Sequence, residues 1–174
     1  MSFIYDLKLC LHQKKIEQSL SSTKVRKATN LSKALNIGVL FDARNDKDVL
    51  TVLNYTKELK RLGKKVILIA YKNSKTLQGD EQYPCFCNSD LGWSLTPKTS
   101  QALDFMARKF DLLLSLHTHE SLPLEYIASA SSAVFRVGHY QENKTHCYDL
   151  MIYGKSRSLR AFIIQMEAYM KKIN

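Results

Sequence analysis

The fold is decided by residues 110–138, which read FDLLLSLHTHESLPLEYIASASSAVFRVG. An apolar strand, FDLLLSL, runs into the polar turn HTHES, and a helical segment then leads to a second strand, AVFRVG. Apolar strands that alternate with helices are typical of a parallel sheet, because each helix crosses over from one strand to the next. The stretch therefore predicts an α/β fold.

Earlier and later apolar runs extend this pattern along the chain. Residues 37–41 (IGVLF) and 66–71 (VILIAY) are predicted strands, and the helix between them is capped by Asn45 or Asp46 and ends at Gly63. A short strand near Cys85 and another over residues 148–153 complete the set. We predict a single Rossmann-like domain with a mostly parallel sheet of five or six strands and helices on both faces.

Four further helices are predicted from apolar spacing and capping residues. An amphipathic helix covers about residues 2–19, and another starts at Thr96 and Pro97 and runs through Phe110. Ser121 caps a third, and Ser156 opens the last, whose apolar stripe ends at Met170. We divide the chain into a basic helical arm, residues 1–36, and the Rossmann-like domain, residues 37–174.

The net charge of +10 lies at the two ends of the chain. Residues 1–36 hold seven basic and two acidic side chains, residues 155–174 hold five and one, and the remainder is nearly neutral. Basic segments attract phosphates or anionic lipid heads, although solvated helix faces show the same pattern. Our preferred hypothesis is an accessory, non-catalytic domain that binds RNA or a ribonucleoprotein; membrane-surface attachment through the first helix is less favoured. The basic candidates are Lys8, Lys14, Lys15, Lys24, Arg26 and Lys27.

The sequence carries no sign of export or of membrane insertion. No apolar run approaches the roughly 20 residues that span a bilayer, and the first residues lack the order of a secretory signal. We therefore expect a cytoplasmic protein with reduced cysteines. Cys85 and Cys87 have a spacing unlike that of zinc knuckles, so no structural metal is predicted.

A candidate site lies where two predicted strands end. In an open parallel sheet, ligands bind beyond the carboxyl ends of the strands, at the point where the strand order reverses. If the strands over residues 37–41 and 112–116 are neighbours, polar residues from both exits meet there. Two histidines two residues apart suggest acid–base or metal chemistry, whereas a solvated polar turn is the plainer interpretation. The candidates are Asp42, Arg44, Asn45, His117, His119, Glu120 and Ser121.

Nucleotide-binding and hydrolase motifs are missing from the sequence. The turn after the first strand, residues 42–46 (DARND), holds no glycine, so it does not let a backbone approach a pyrophosphate. The motifs G-x-x-x-x-G-K-[ST] and G-x-S-x-G are absent too. We expect no cofactor bound by these means.

Several blocks of the chain resemble a known family. They are IGVLFDA (37–43), FDLLLSL (110–116), LPLEYIA (122–128), FRVG (135–138) and YDLMI (148–152). On these blocks the chain resembles, over roughly residues 1–172, a family of small bacterial proteins catalogued as a domain of unknown function, which implies no activity. More distantly, FDLLLSL and FRVG look like the amino-terminal, Rossmann-like half of heptosyltransferase-type glycosyltransferases. Such enzymes bind the sugar nucleotide with their other half, so this resemblance implies at most an acceptor-like or binding role.

The rival to polyanion binding is therefore a small enzyme or ligand-binding protein. Its site lies at the carboxyl ends of the first and fourth strands, and it predicts a concave pocket there with perturbed histidines. The sequence does not decide between catalysis and binding, and it does not define the oligomeric state.

Overall fold

A computed structural model describes residues 3–20, 26–142, 144–154 and 158–173. Within these ranges, a six-stranded sheet is surrounded by five helices. The helices are α1 (Phe3–Leu20), α2 (Asp46–Arg61), α3 (Ser100–Ala107), α4 (Leu122–Ala130) and α5 (Leu159–Met170). The strands are β1 (Asn36–Asp42), β2 (Lys65–Lys72), β3 (Cys85–Cys87), β4 (Leu112–Leu116), β5 (Phe135–His139) and β6 (Leu150–Ile152).

The sheet is parallel throughout, and its strand order is β3-β2-β1-β4-β5-β6. Near the carboxyl end of β1, Phe41 lies opposite Ala70 of β2 and Leu116 of β4. The chain winds outward in one direction from β1 to β3 and in the other from β4 to β6, so the order reverses between β1 and β4. The predicted Rossmann-like α/β fold is confirmed, and β1 and β4 are the neighbours on which the candidate site depends.

Two cores cover the two faces of the sheet. One core joins the sheet to α2 and α5 through side chains such as Val52, Leu59 and Phe162. The other joins it to α3 and α4 through Phe105 and Leu124. Because both faces are buried, the central strands are apolar at nearly every position instead of alternating.

Helix α1 packs against α4. Ile16 and His12 on its inner side are 6% and 1% exposed, whereas Lys14 and Lys15 lie on the exposed side. The extent predicted for this helix is close to the observed one. Its packing against α4 brings the start of α1 to the carboxyl edge of the sheet.

The prediction for α3 is wrong at both ends. The helix begins at Ser100, where the side chain of Thr99 accepts the Ala102 N–H at 3.3 Å. Pro97 lies before it and pairs with Leu91 in an antiparallel bridge. The helix also ends at Ala107, because Phe110 turns inward against β1; a Cβ on Gly38 would lie 2.8 Å from its ring. Proline therefore marks the end of a loop here and not the first helical turn.

Two smaller differences concern the carboxyl-terminal part. Strand β6 is shorter than predicted, because Tyr148 precedes it and lays its ring against Gly138, where an added Cβ would come within 2.6 Å. The predicted opening of the last helix, Ser156, falls outside the described residues, and α5 begins at Leu159 after Ser158. Its predicted apolar stripe is buried. None of the helices in the described ranges is long and apolar enough to cross a membrane.

Candidate ligand-binding cleft

A cavity of about 720 Å³ opens at the carboxyl ends of β1 to β4. Its walls come from the start of α1, the loops after β1, β2 and β3, and the turn between β4 and α4. The residues that line it are Tyr5, Lys8, Asp42, Arg44, Tyr71, Asn73, Asn88, Leu91, Gly92, Trp93, Leu95, Glu120, Ser121, Leu122 and Pro123. Since it includes the point where the strand order reverses, it lies where this class of sheet binds ligands.

Asp42 is the most buried charged residue of the cleft. It is 7% exposed, and its Oδ2 lies 3.2 Å from an Arg44 guanidinium nitrogen, while its Oδ1 has no hydrogen-bond partner among the described residues. Burial raises the pKa of this carboxyl, and Arg44 and His117 oppose the rise. The cleft thus contains a poorly solvated acidic group with one of its two oxygens paired.

Ser121 stands at the start of α4 without capping it. Its side chain makes no capping hydrogen bond, and its Oγ, in a residue 7% exposed, has no partner among the described residues. The sequence predicted Ser121 as a cap, and the position is right although the bond is not made. The first N–H groups of α4 are therefore not taken by this hydroxyl, and the positive end of the helix faces the cleft.

Amides and aromatic rings form the other end of the cleft. The Tyr71 hydroxyl donates to Asn88 Oδ1, and Asn88 Nδ2 donates to Asn73 Oδ1 at 3.1 Å. Trp93, which is 53% exposed, stands beside them on the loop before α3. The hydrogen-bond chain fixes the two amides at the exits of β2 and β3.

The loop that carries Trp93 is held in a strained shape. Leu95 has a φ of 58°, in the left-handed region that a branched side chain rarely adopts. Gly92 and Thr96 close the turn, with Gly92 N–H donating to Thr96 O at 2.8 Å. His12 of α1 donates its Nδ1–H to the Ser94 carbonyl oxygen at 2.9 Å, which ties this loop to the first helix. Strained residues that are held by surrounding contacts are common at binding sites.

The structure divides the seven predicted site residues into three sets. Asp42, Arg44, Glu120 and Ser121 line the main cleft. His117 and His119 lie behind it, at a small recess that Asp42 and Arg44 also line. Asn45 caps α2, since its side chain accepts the Asp48 N–H at 2.9 Å.

His117 faces the interior and not the cleft. Its Nδ1 lies 2.8 Å from the His119 carbonyl oxygen, and its Nε2 lies 3.3 Å from the Tyr148 hydroxyl. Burial lowers its pKa, so the ring is neutral near pH 7. Both ring nitrogens are engaged, and the described residues hold no group of three His, Cys, Asp or Glu side chains placed to bind a metal.

An ion pair lies deeper beside α4. Glu125 is fully buried, and its Oε2 accepts from Lys144 Nζ at 2.7 Å, while its Oε1 has no partner among the described residues. Burial of a carboxylate is unusual without a function or a good partner. This pair joins α4 to the loop between β5 and β6, behind the cleft.

The basic candidates have different environments. Lys8 lines the cleft, Lys14 and Lys15 are exposed on α1, and Lys27 lies at a second cavity on the opposite edge of the sheet. The Arg26 guanidinium donates to the carbonyl oxygens of Ala133 and Ser131, so it holds the chain against the domain. Lys24 lies outside the described residues.

Sequence reasoning missed most of the amide and aromatic wall. Tyr5, Tyr71, Asn73, Asn88 and Trp93 were not candidates, because strand exits were considered only for β1 and β4. One signal was available: β2 and β3 end at the same edge as β1, so polar and aromatic residues just after them belong to the same cleft.

Comparison with known proteins gives a family without an activity. A family model described as "Family of unknown function (DUF6913)" matches residues 8–173. No curated protein matches the chain, and no solved structure matches it either. These comparisons give no support to the heptosyltransferase resemblance.

Proposed function

The chain belongs to this family of unknown function, which supplies no activity, and from the cleft we propose that the protein binds a small organic anion at the carboxyl edge of its sheet. One observation carries the proposal. Lys8, Arg44 and the start of α4 meet at a single cavity of about 720 Å³, which Asp42 and Ser121 also line. Each of these two residues has a buried oxygen without a hydrogen-bond partner in the described part of the chain. Buried polar groups of this kind cost stability, so their presence at a cavity supports a binding role.

An anion is favoured by the donors at the central part of the cleft. The start of α4 supplies a positive dipole end and, apart from Pro123, which has no N–H, its first N–H groups, and two cationic side chains come from α1 and from the exit of β1. The two carboxylates of the cleft are offset, because Asp42 is paired with Arg44 at 3.2 Å and Glu120 is exposed to solvent. A carboxylate or a phosphate group is therefore the best fit there.

Trp93 makes the proposal directly testable, because it is the only tryptophan in the sequence and it lines the cleft. Its emission is followed while the protein is titrated with inorganic phosphate, ribose 5-phosphate and adenosine monophosphate. We expect a saturable change with at least one of these probes. Lys8→Ala and Arg44→Ala should each weaken binding about tenfold, as expected for loss of one charge-assisted hydrogen bond.

Lys15→Ala is the matched control for Lys8→Ala, because both residues lie on α1 but Lys15 is exposed away from the cleft. The control should bind like the wild type. A flat emission with all three probes would overturn the proposal, and so would equal weakening by the two lysine variants, which would indicate a diffuse charge effect.

Polyanion binding is a second proposal, and one observation favours it. Lys27 and Lys33 line a cavity of about 440 Å³ at the amino edge of the sheet, and Lys14 and Lys15 are exposed on α1. These lysines lie on two separate surfaces, which a long nucleic acid can contact at the same time and a small ligand cannot. Such binding must weaken steeply with salt.

Fluorescence anisotropy of a labelled single-stranded RNA at low and at physiological salt tests this second role. We expect affinity at low salt that falls in Lys27→Ala/Lys33→Ala but not in Arg44→Ala. Absence of RNA binding at low salt would overturn the polyanion-binding proposal. We also propose a cytoplasmic location, as expected from the sequence, and a bacterial origin, as the family resemblance implies.

A further inference from the structure

The chemistry of the cleft changes along the sheet edge. The exits of β1 and β4 hold Arg44 and the Ser121 hydroxyl together with two carboxylates, of which Asp42 is paired with Arg44 and Glu120 is exposed to solvent, and Lys8 of α1 lines the same cavity. The amides and the phenol lie at the exits of β2 and β3, and Trp93 also lines the cavity. Neighbouring strands lie about 4.8 Å apart, so the cleft spans about 14 Å from β4 to β3. A ligand that fills it therefore carries an anionic group at one end and a planar, hydrogen-bonding group at the other.

We propose that the ligand of this cleft is a nucleoside monophosphate, with its phosphate at the start of α4 and its base against Trp93. This inference rests on the proposed function, because it names the class of anion that the same cleft binds. It gives a role to the aromatic and amide residues of the cleft, which anion binding alone does not explain.

The base end is argued from two features. Trp93 presents a large ring that is 53% exposed at the rim of a concave cavity, and Tyr5 from α1 is 46% exposed across the same cavity. Exposed aromatic rings in a groove are stacking platforms for bases. Asn88 is engaged with Tyr71 and Asn73, so the Asn73 amide nitrogen and the second lone pair of each amide oxygen are the groups that can read a base edge.

The number of phosphates is argued from the turn after β1. A pyrophosphate needs glycines at this turn so that the backbone comes close, and residues 42–46 (DARND) contain none. Asp42 and Arg44 of this turn form an ion pair with each other at 3.2 Å, and both line the cleft. One phosphate fits against Lys8 and the start of α4, while a second would meet the Asp42 carboxylate.

Calorimetric titration of the full chain with adenosine monophosphate, ribose 5-phosphate and adenosine diphosphate tests the inference. We expect the monophosphate to bind at least about fivefold more tightly than ribose 5-phosphate, which is the lower end of what base stacking on an aromatic ring contributes. Trp93→Ala should abolish this advantage and leave ribose 5-phosphate binding unchanged, and Trp93→Phe should keep most of it. Adenosine diphosphate should bind no more tightly than the monophosphate.

The outcomes separate this inference from the proposed function. Equal affinity for ribose 5-phosphate and adenosine monophosphate overturns the nucleotide inference and leaves the anion site standing. Tighter binding of the diphosphate overturns the single-phosphate argument. Absence of binding by every probe overturns the proposed function itself. The exposed position of Trp93 makes both substitutions compatible with folding, which thermal melting of each variant checks.

Discussion

His12 donates its Nδ1–H to the carbonyl oxygen of Ser94 at 2.9 Å, and this bond ties the helix that carries Lys8 to the loop that carries Trp93. His12 is 1% exposed, and its ring packs beside Tyr126 of α4. Two walls of the cleft are thus positioned by one buried imidazole. The amino-terminal helix is part of the site, and its docking decides the shape of the cavity.

Replacement of His12 by Phe tests this connection. The ring still packs near Tyr126, but the N–H donor is lost and the Ser94 carbonyl loses its partner, so we expect destabilisation of about 1 kcal/mol. The loop should also loosen, which acrylamide quenching of Trp93 measures as increased accessibility. His119→Phe is the control, because His119 lies behind the cleft. Unchanged quenching in His12→Phe would show that the loop is positioned by other contacts.

Mild acid should destabilise the protein. Burial lowers the pKa of His12, His117, His139 and His146 below the ordinary value of 6.5. In the unfolded chain each imidazole binds a proton as the pH falls through that value, whereas in the folded protein it stays neutral. The unfolded state then holds more protons, so stability falls as the pH drops below about 6.5.

Urea unfolding at pH 7.5, 6.5 and 5.5 measures this effect. We expect the free energy of unfolding to fall between the last two values, and His117→Gln should reduce the fall because the fully buried ring contributes to it. A free energy that stays constant down to pH 5.5 would contradict the lowered pKa values.

The sequence predicted the topology well, because the fold is encoded in runs of apolar residues. Strands over 37–41 and 112–116 are apolar since helices cover both faces. Their pairing, which the site prediction took as a condition, is observed, and Asp42 and Ser121 line one cavity there.

The rest of the site depends on tertiary contacts that local patterns do not contain. Trp93 lies in a polar stretch, and only its hairpin-like turn, tied to α1 by His12, brings it to the cavity. His117 follows β4 like a site residue, but the chain turns back so that the His119 carbonyl meets its ring. Proline is common in the first turn of a helix, but Pro97 pairs with Leu91 in a bridge and so lies before α3.

Replacement of Asp42 by Asn should stabilise the protein at pH 7 and raise its melting temperature. Burial raises the pKa of this carboxyl, so its charged form is less favourable in the folded protein than in the unfolded chain. Ionisation of Asp42 therefore lowers the free energy of unfolding at pH values above that pKa. An amide has no such charge to bury. Thermal melting measures the gain, and Asp80→Asn, on an exposed turn, should leave the melting temperature unchanged. A loss of stability in Asp42→Asn would mean that the ion pair with Arg44 outweighs the burial cost.

Lys144→Met should cost about 3 kcal/mol, because it leaves the Glu125 carboxylate buried without its cation. The double variant Glu125→Gln/Lys144→Met removes both charges and should recover most of this loss. Urea unfolding of the wild type, the two single variants and the double variant gives the coupling energy directly. If the two single costs simply add, the pair does not interact in the way that its 2.7 Å contact indicates.

One of the four thiols should react in the native protein. Cys10 is exposed on α1, whereas Cys85, Cys87 and Cys147 are buried. Burial raises the pKa of Cys85 and Cys147 to about 11, so little of the reactive thiolate forms at pH 8. Titration with a chromogenic disulfide reagent should therefore release one equivalent rapidly and the remaining three only in denaturant. Cys10→Ser should remove this rapid equivalent. A fast reaction that persists in Cys10→Ser would mean that the core next to α4 or β3 opens readily. The walls of the cleft would then be less fixed than the contacts of His12 imply.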